Sequence, residues 1–117
     1  MVVINSIKFG SITINGKAYY EKDNYIVFWN GEIKGLHTSE RHLFGKPELE
    51  IILRKNPEIV IVGTGTSNLL KVSEEVRSLC RQKRIELIQI VSKVAIEKFN
   101  EIFNQEKKVA AFIHVTC

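Results

Sequence analysis

An informative hydrophobic run lies near the middle of the chain, where four β-branched residues, Ile59 to Val62, follow one another without a polar interruption. Such a run is typical of a strand that is buried on both faces of an α/β sheet. Pro57 ends the element before it, and Gly63-Thr64-Gly65 allows a sharp turn directly after it. Because ligands of open α/β sheets usually bind beyond the carboxyl ends of the strands, this turn is the first candidate site.

Residues 1 to 34 show the pattern of a β-meander. Ile12 and Ile14 alternate with polar residues and are followed by Asn15-Gly16, a strong signal for a two-residue type I′ hairpin. A second apolar run, Tyr25 to Trp29, ends at another Asn-Gly pair, Asn30-Gly31. We therefore expect antiparallel strands throughout this region.

The second part of the chain alternates helical and strand patterns. Pro47 suits the first position of a helix, and Ser73 and Ser92 are natural N-caps for two more. The predicted elements are helix Pro47–Lys55, strand Ile59–Val62, a helix capped by Ser73 that reaches Arg84, strand Leu87–Val91, a helix from Ser92 through Phe103, and strand Val109–Val115. The sequence thus predicts an α/β fold, a single domain over residues 1–117 with an N-terminal β-meander and three helices.

Composition limits the classes of protein without choosing among them. The chain has 117 residues, 44% of them hydrophobic and 26% charged, which is ordinary for one soluble domain. No apolar run approaches the roughly 20 residues of a membrane-spanning helix, and the first residues resemble neither a secretory signal nor a transit peptide. Two cysteines form no disulfide framework, so we expect a cytoplasmic protein without a membrane partner.

Gly63-x-Gly65 invites comparison with a dinucleotide-binding turn. That fingerprint needs a third glycine where this chain has Asn68, and a helix that opens directly from the turn. The next helix is predicted to begin only at Ser73, too far along the chain for its amide groups to face a pyrophosphate. We therefore predict no nucleotide cofactor.

A long connection, residues 35–46, separates the meander from the first helix, and long connections are often functional. It contains His37 and His42, but neither cysteines nor suitably spaced carboxylates accompany them, so we predict no metal site. Arg41 is the stronger candidate, since an arginine on such a loop could reach an anion or a partner's carboxylate. A solvated or locally paired Arg41 is the alternative.

No complete catalytic constellation is visible. Cys80 is predicted to face the core, and His114 and Cys117 lie three residues apart, on opposite sides if the strand continues. A Cys–His pair would require the chain to leave the strand after Val115. The net charge of +4 and a basic ridge, formed by Arg77, Arg81 and Arg84, leave nucleic-acid binding as an alternative, but a solvated face is the simpler interpretation.

Several stretches together resemble one known family. They are Phe9-Gly10-Ser11 with Ile12-x-Ile14-x-Gly16-Lys17, the segment Pro57 to Gly65, Leu70-Lys71-Val72, residues 95–100, and Val109 to Cys117 with its His-x-Thr-Cys ending. The resemblance is to the small uncharacterised domain of the adipogenesis-associated domain-containing protein. The same family includes mitochondrial assembly factor three of the NADH:ubiquinone oxidoreductase and many short bacterial and archaeal proteins.

The resemblance implies a three-layer α/β fold with a mixed central sheet, in which one of the late strands runs antiparallel to the others. It brings no established enzymatic activity for the family as a whole, and the better-understood eukaryotic members act through protein partners. The chain departs from the family pattern at Ser73, where relatives often have Pro, and at Ser92-Lys93, where a Thr is common. The loop from Gly35 to Gly45 matches poorly, so the resemblance assigns no role to Arg41 or His42.

These observations favour a non-catalytic interaction or assembly-accessory domain that acts through a protein partner. The alternative is an enzyme or small-anion-binding protein. Its pocket would lie at the Gly63, Thr64 and Gly65 turn, with Arg41 and His114 as the polar groups that meet the ligand.

Overall fold

The computed structural model describes residues 1–117, and its centre is a five-stranded sheet. The elements in chain order are β1 (Ile4–Lys8), β2 (Ser11–Ile14), β3 (Lys17–Tyr19), β4 (Asn24–Phe28), β5 (Ile33–Leu36), β6 (Leu43–Phe44), α1 (Lys46–Leu53), β7 (Ile59–Gly63), β8 (Lys71–Val72), α2 (Glu74–Gln82), β9 (Glu86–Ile90), α3 (Ser92–Phe103) and β10 (Val109–His114). The central sheet has the order β5-β4-β10-β7-β9. The predicted α/β class, three helices and mixed sheet are confirmed.

The antiparallel member of the central sheet is an early strand. β10 pairs in parallel with β7, and β7 pairs in parallel with β9, whereas β4 runs antiparallel to both β10 and β5. The expectation of an antiparallel late strand is therefore wrong. β4 reaches the sheet from the N-terminal region through short connections, and the crossovers through α2 and α3 keep the late strands parallel.

β7 is buried on both faces, as its uninterrupted apolar run predicts. Its side chains alternate between two cores: Ile59 and Ile61 face the core shared with α3, whereas Val60 and Val62 face the core shared with α1 and α2. The sheet thus separates two helical layers. The carboxyl end of β7 lies beside the ends of β9 and β10 because these strands are parallel.

The predicted meander is divided between two sheets. β1, β2 and β3 form a separate antiparallel sheet that packs with α3, whereas β4 and β5 join the central sheet. The Asn100 side chain of α3 fixes this small sheet, since it bonds both the N–H and the C=O of Ile4, at 3.0 and 2.8 Å. Asn15 and Gly16 both have positive φ, as a type I′ turn requires.

The second core holds α1 and α2 against the other face of the sheet. Phe44 and Phe112 meet there edge to face, with ring centroids 4.7 Å apart. Phe44 belongs to β6, which pairs with β8 in a two-stranded parallel sheet that the sequence pattern did not predict. This pair fixes the end of the 37–42 loop, because the Lys71 N–H donates to the carbonyl oxygen of His42 at 2.8 Å.

Candidate functional site

A pocket of about 400 Å³ opens near the carboxyl ends of β7 and β10. Two of its walls come from the 37–42 loop and from the chain that follows β10; the β1–β2 turn and the start of β4 complete it. We call it the histidine pocket, and it is lined by Phe9, Asp23, Asn24, His37, Thr38, Arg41, His42, His114, Thr116 and Cys117.

The Gly63–Gly65 turn lies beside this pocket but is not part of its lining. Gly65 has φ +103, and a Cβ placed on it would lie 2.2 Å from the carbonyl carbon of Cys117. The N–H groups of Thr66, Ser67 and Leu69 donate to the carbonyl oxygens of Thr116 and Cys117 at 2.8–3.1 Å. The turn therefore binds the chain's own segment 116–117, and the glycine allows that close approach.

Ser92 was predicted to cap α3, and this prediction is wrong. Val91 occupies the N-cap position, and Ser92 is the first residue of the helix, fully buried. Its hydroxyl accepts a hydrogen bond from the Gly65 N–H at 2.8 Å and donates one to the carbonyl oxygen of His114 at 2.6 Å. Ser92 therefore joins the glycine turn to the end of β10 and positions His114.

His114 is held on both ring nitrogens. Its Nδ1 lies 2.7 Å from Oδ1 of Asn24, its cross-strand neighbour, and its Nε2 lies 3.1 Å from the hydroxyl of Thr116. Asn24 donates its amide to the carbonyl oxygen of Leu36 at 3.2 Å, so its Oδ1 is the atom that faces the ring. This assignment places the proton on Nδ1 of His114, leaves Nε2 as an acceptor, and makes Thr116 the donor.

The surroundings of His114 favour the neutral imidazole. The ring is 4% exposed, and burial lowers its pKa below the ordinary value of 6.5. Nearby His42 lowers the pKa further, whereas Asp23 opposes the shift by its negative charge and through a backbone hydrogen bond. His114 is therefore neutral at pH 7, able to accept a proton at Nε2.

His42 packs against His114 edge to face, with ring centroids 5.5 Å apart. Its backbone has φ +57, which is uncommon for a residue other than glycine. Its Nδ1 is buried and has no hydrogen-bond partner in the protein. It is the single buried side-chain nitrogen or oxygen of which this is true, and it belongs to a residue that lines the pocket.

The charged groups of the pocket are unevenly paired. His37 Nδ1 lies 3.4 Å from Oδ2 of Asp23, and both side chains are 58% exposed. Arg41 also lines the pocket and makes no ion pair. An incoming ligand would therefore meet an arginine whose guanidinium group has no carboxylate partner.

Comparison with known proteins places the chain in a family. Residues 4–114 match the family described as "Protein of unknown function (DUF498/DUF598)". The chain belongs to this family.

Solved structures of other proteins share the fold of this DUF498/DUF598 domain. The conserved hypothetical protein PH1505 from Pyrococcus horikoshii OT3 is 26% identical, with a TM-score of 0.84 over 97% of this chain and 98% of that one. MT938 is also 26% identical, with a TM-score of 0.79 over 100% of both chains. A Bordetella pertussis protein described as a Mth938-like domain shares the fold at 14% identity, with a TM-score of 0.67 over 97% of this chain and 85% of that one.

Of the site residues named from the sequence, Arg41 and His114 line the histidine pocket of this DUF498/DUF598 domain, and Gly63, Thr64 and Gly65 do not. The strand ends at His114, so Cys117 also reaches the pocket, but Thr116 is the residue that bonds the His114 ring. No group of three or more His, Cys, Asp and Glu side chains is arranged to hold a metal ion. None of the helices is long and apolar enough to cross a membrane.

Sequence reasoning missed Asn24, Thr116 and Asp23. Asn24 stands at the start of an apolar run, where an asparagine is typical of a turn. Its pairing with His114 depends on the antiparallel register of β4 and β10, which no local pattern shows. One signal was available: His114-x-Thr116 lies at the carboxyl end of a buried strand, where alternate side chains share a face. That spacing would have indicated a His–Thr contact.

Proposed function

We propose that this domain binds a small anionic ligand in the histidine pocket. The observation that carries the proposal is the buried Nδ1 of His42, which has no partner in the protein. An unpaired buried polar atom costs about 1–3 kcal/mol. Because Nδ1 of His42 is buried, a ligand oxygen offsets that cost only when the groups that cover this atom open towards the pocket.

The charges near His42 support an anion rather than a neutral ligand. Arg41 has no carboxylate partner, whereas the carboxylate of Asp23 lies 3.4 Å from Nδ1 of His37, a contact that is ionic only when that imidazole is protonated. A guanidinium group offers a planar set of donors that suits a carboxylate or a phosphate.

A thermal-shift titration tests the proposal and separates the two kinds of anion. Succinate and inorganic phosphate are compared with sodium chloride at matched ionic strength. Ligand at a hundredfold excess over its Kd stabilises the folded state by about 2.7 kcal/mol, which raises the Tm by about 10 °C in a domain of this size. We expect one of the two anions, and not chloride, to give such a shift.

Two variants locate the binding. Arg41→Gln should abolish the shift because it removes the unpaired guanidinium group. Arg54→Gln is the matched control, since it makes the same change of charge at an exposed position outside the pocket. Equal responses of the two variants, or no stabilisation by either anion, would contradict the proposal.

A second role, as an interaction or assembly-accessory domain, is supported by a different observation. Phe9 is 67% exposed at the edge of the same pocket, where its apolar ring could contact a protein partner. The resemblance to the adipogenesis-associated domain and to mitochondrial assembly factor three supports the same role. Such a partner would present an apolar side chain beside a carboxylate. The expected cytoplasmic location belongs to this proposal and is tested by cell fractionation.

The test is a pull-down at native salt with two variants of matched chemistry. Phe9→Ser should lose the reproducible partner, because it removes the apolar contact at the pocket. Tyr20→Ser should keep it, because Tyr20 is equally exposed, at 72%, but lies outside the pocket. Failure to recover any reproducible partner, or loss of the partner in both variants, would count against the second role.

A further inference from the structure

Asn24, His114 and Thr116 form a continuous hydrogen-bonded chain that ends in a hydroxyl on the pocket wall. The order resembles the one found in cysteine hydrolases, where an amide orients a neutral imidazole beside the nucleophile, with a hydroxyl here in the place of the thiol. We propose that Thr116 is the nucleophile of an acyl-transfer reaction on small esters that carry an anionic group. The preference for an anionic ester rests on the proposed function.

The geometry gives each member of this chain a separate role. Asn24 is a positioning residue, because its amide is fixed by Leu36 and its Oδ1 holds the Nδ1–H of His114. His114 is the general base, because its Nε2 faces the Thr116 hydroxyl at 3.1 Å. The backbone of His114 is held in turn by the buried Ser92 hydroxyl, which donates to its carbonyl oxygen.

The position of Thr116 favours a reaction there over a purely structural contact. Thr116 is only partly buried, and it lines a pocket whose wall also includes Arg41, which makes no ion pair, and His42, whose buried Nδ1 has no partner. A group bound in this pocket would thus meet a hydroxyl next to a base, together with a guanidinium group that has no carboxylate partner. A threonine that served packing alone would not need its hydroxyl directed at a base.

The reaction needs no reagent other than water. The Thr116 oxygen attacks the ester carbonyl carbon while its proton passes to Nε2 of His114. The bond between that carbon and the leaving oxygen breaks, and the imidazolium gives its proton to the departing alkoxide, which leaves as an alcohol. Water then attacks the acyl-threonine with His114 again taking the proton, and the free hydroxyl of Thr116 is restored as the acid departs.

Intact-mass analysis and peptide mapping after incubation with activated esters test the nucleophile. The anionic probe is the mono-p-nitrophenyl ester of succinate, and the neutral probe is p-nitrophenyl butyrate. We expect an acyl group on Thr116 and release of p-nitrophenolate. Thr116→Val should abolish both, and Thr116→Ser should retain them because it keeps the hydroxyl.

Cys117 needs its own control, since a thiol in the same pocket could take the acyl group instead. Cys117→Ser should leave acylation of Thr116 unchanged. An acyl group found on Cys117 of the native chain would overturn the assignment to Thr116. Loss of acylation in Cys117→Ser would overturn it as well. Thr116→Val changes a half-buried residue, and a far-UV spectrum with a denaturant curve verifies that it folds.

The role of His114 is tested by the pH profile. His114→Gln should lower the acylation rate at least about a hundredfold, as expected for loss of a general base. In the native chain the rate should stay at its plateau near neutral pH and fall only on the acid side of 6.5, where His114 becomes protonated. Five other charged or titratable residues line the pocket around the ring. They are Asp23, His37, Arg41, His42 and Cys117. Among the variants assayed for acylation, only Cys117→Ser changes one of them.

Asn24→Asp keeps an acceptor for Nδ1 but adds a negative charge, which favours the imidazolium and raises the pKa of His114. The acid limb of the profile should therefore move to higher pH if His114 is the group that titrates in the reaction, because the new charge lies beside its Nδ1. An unmoved limb would show that His114 is not the general base.

The two proposals fail in different ways. If succinate stabilises the protein and no ester acylates Thr116, the nucleophile is wrong and the anion pocket stands. If both esters acylate Thr116 equally fast, the nucleophile stands and the preference for anions is wrong.

Discussion

The Gly63–Gly65 turn and the histidine pocket lie at the same end of the sheet, yet they differ in how many of their polar groups find a partner within the protein. The N–H groups that follow the turn are bonded to carbonyl oxygens of the chain's own segment 116–117, at 2.8–3.1 Å. In the pocket, by contrast, Nδ1 of His42 has no partner and Arg41 has no counter-charge. The backbone next to the turn is therefore bonded to another segment of the same chain, whereas residues of the pocket keep polar groups without partners.

This difference bears on how a glycine turn after a buried strand is interpreted. Such a turn allows another backbone to approach closely, but the approaching group can be protein rather than ligand. Here it supports the segment that carries Thr116 and Cys117, next to the pocket wall. The turn and the pocket are therefore connected, and a change in the first should be felt in the second.

The largest effect is expected from Gly65→Ala. The new Cβ would lie 2.2 Å from the Cys117 backbone and 2.9 Å from Cδ2 of His114, and φ +103 is unfavourable for alanine. Strain of about 1–2 kcal/mol and overpacking of about 1–3 kcal/mol together lower the free energy of unfolding by about 2–5 kcal/mol. Urea denaturation measures this.

Gly16→Ala separates backbone strain from the steric contact. Gly16 also has positive φ, +80, but a Cβ there meets nothing within 4 Å. This variant should lose only about 1–2 kcal/mol. Equal losses in the two variants would show that contact with segment 116–117 does not matter, and the connection between turn and pocket would fail.

An intermediate effect is expected from Ser92→Ala. The buried hydroxyl bonds both the Gly65 N–H and the His114 carbonyl oxygen, so its removal leaves a buried donor and an acceptor without their partner. We expect a loss of about 1–3 kcal/mol in the free energy of unfolding. Ser73→Ala, which removes the N-cap bond to Val76, is the comparison and should cost about 1 kcal/mol.

A loss in Ser92→Ala no larger than that in Ser73→Ala would mean that Ser92 does not link the turn to β10. If Ser92 positions His114, the Ser92→Ala variant should also bind anions or react with esters more weakly than the native chain. Unchanged binding and reaction would contradict that role.

Local rules in the sequence predicted much of the fold. The β-branched run of β7, the Asn15-Gly16 hairpin and the Ser73 N-cap each depend on a few neighbouring residues, and each is present. The order of helices and strands after residue 46 follows from such patterns. β6 and β8, which have only two residues each, are too short to show a period.

The pocket could be predicted only in part, because it depends on contacts between distant residues. Arg41 and His114 were named for their chemistry, but Asn24 meets His114 only through the register of β4 against β10. Ser92 resembled an N-cap, since nothing local indicates that its hydroxyl is used by Gly65 and His114. Residue type suggested the polar groups, and long-range strand pairing decided which of them meet.

The smallest effect is expected from the pH dependence of stability that His114 contributes. Its pKa in the folded protein is below the unfolded value of 6.5, so the unfolded state binds more protons in that range. The stabilising contribution is therefore complete above pH 6.5 and is lost as the pH falls through the lowered pKa. Denaturation midpoints measured across this range should decline towards acid in the native chain. The decline should be reduced in His114→Gln and should persist in His37→Gln, which keeps the buried ring. An undiminished decline in His114→Gln would show that groups other than His114 carry this dependence.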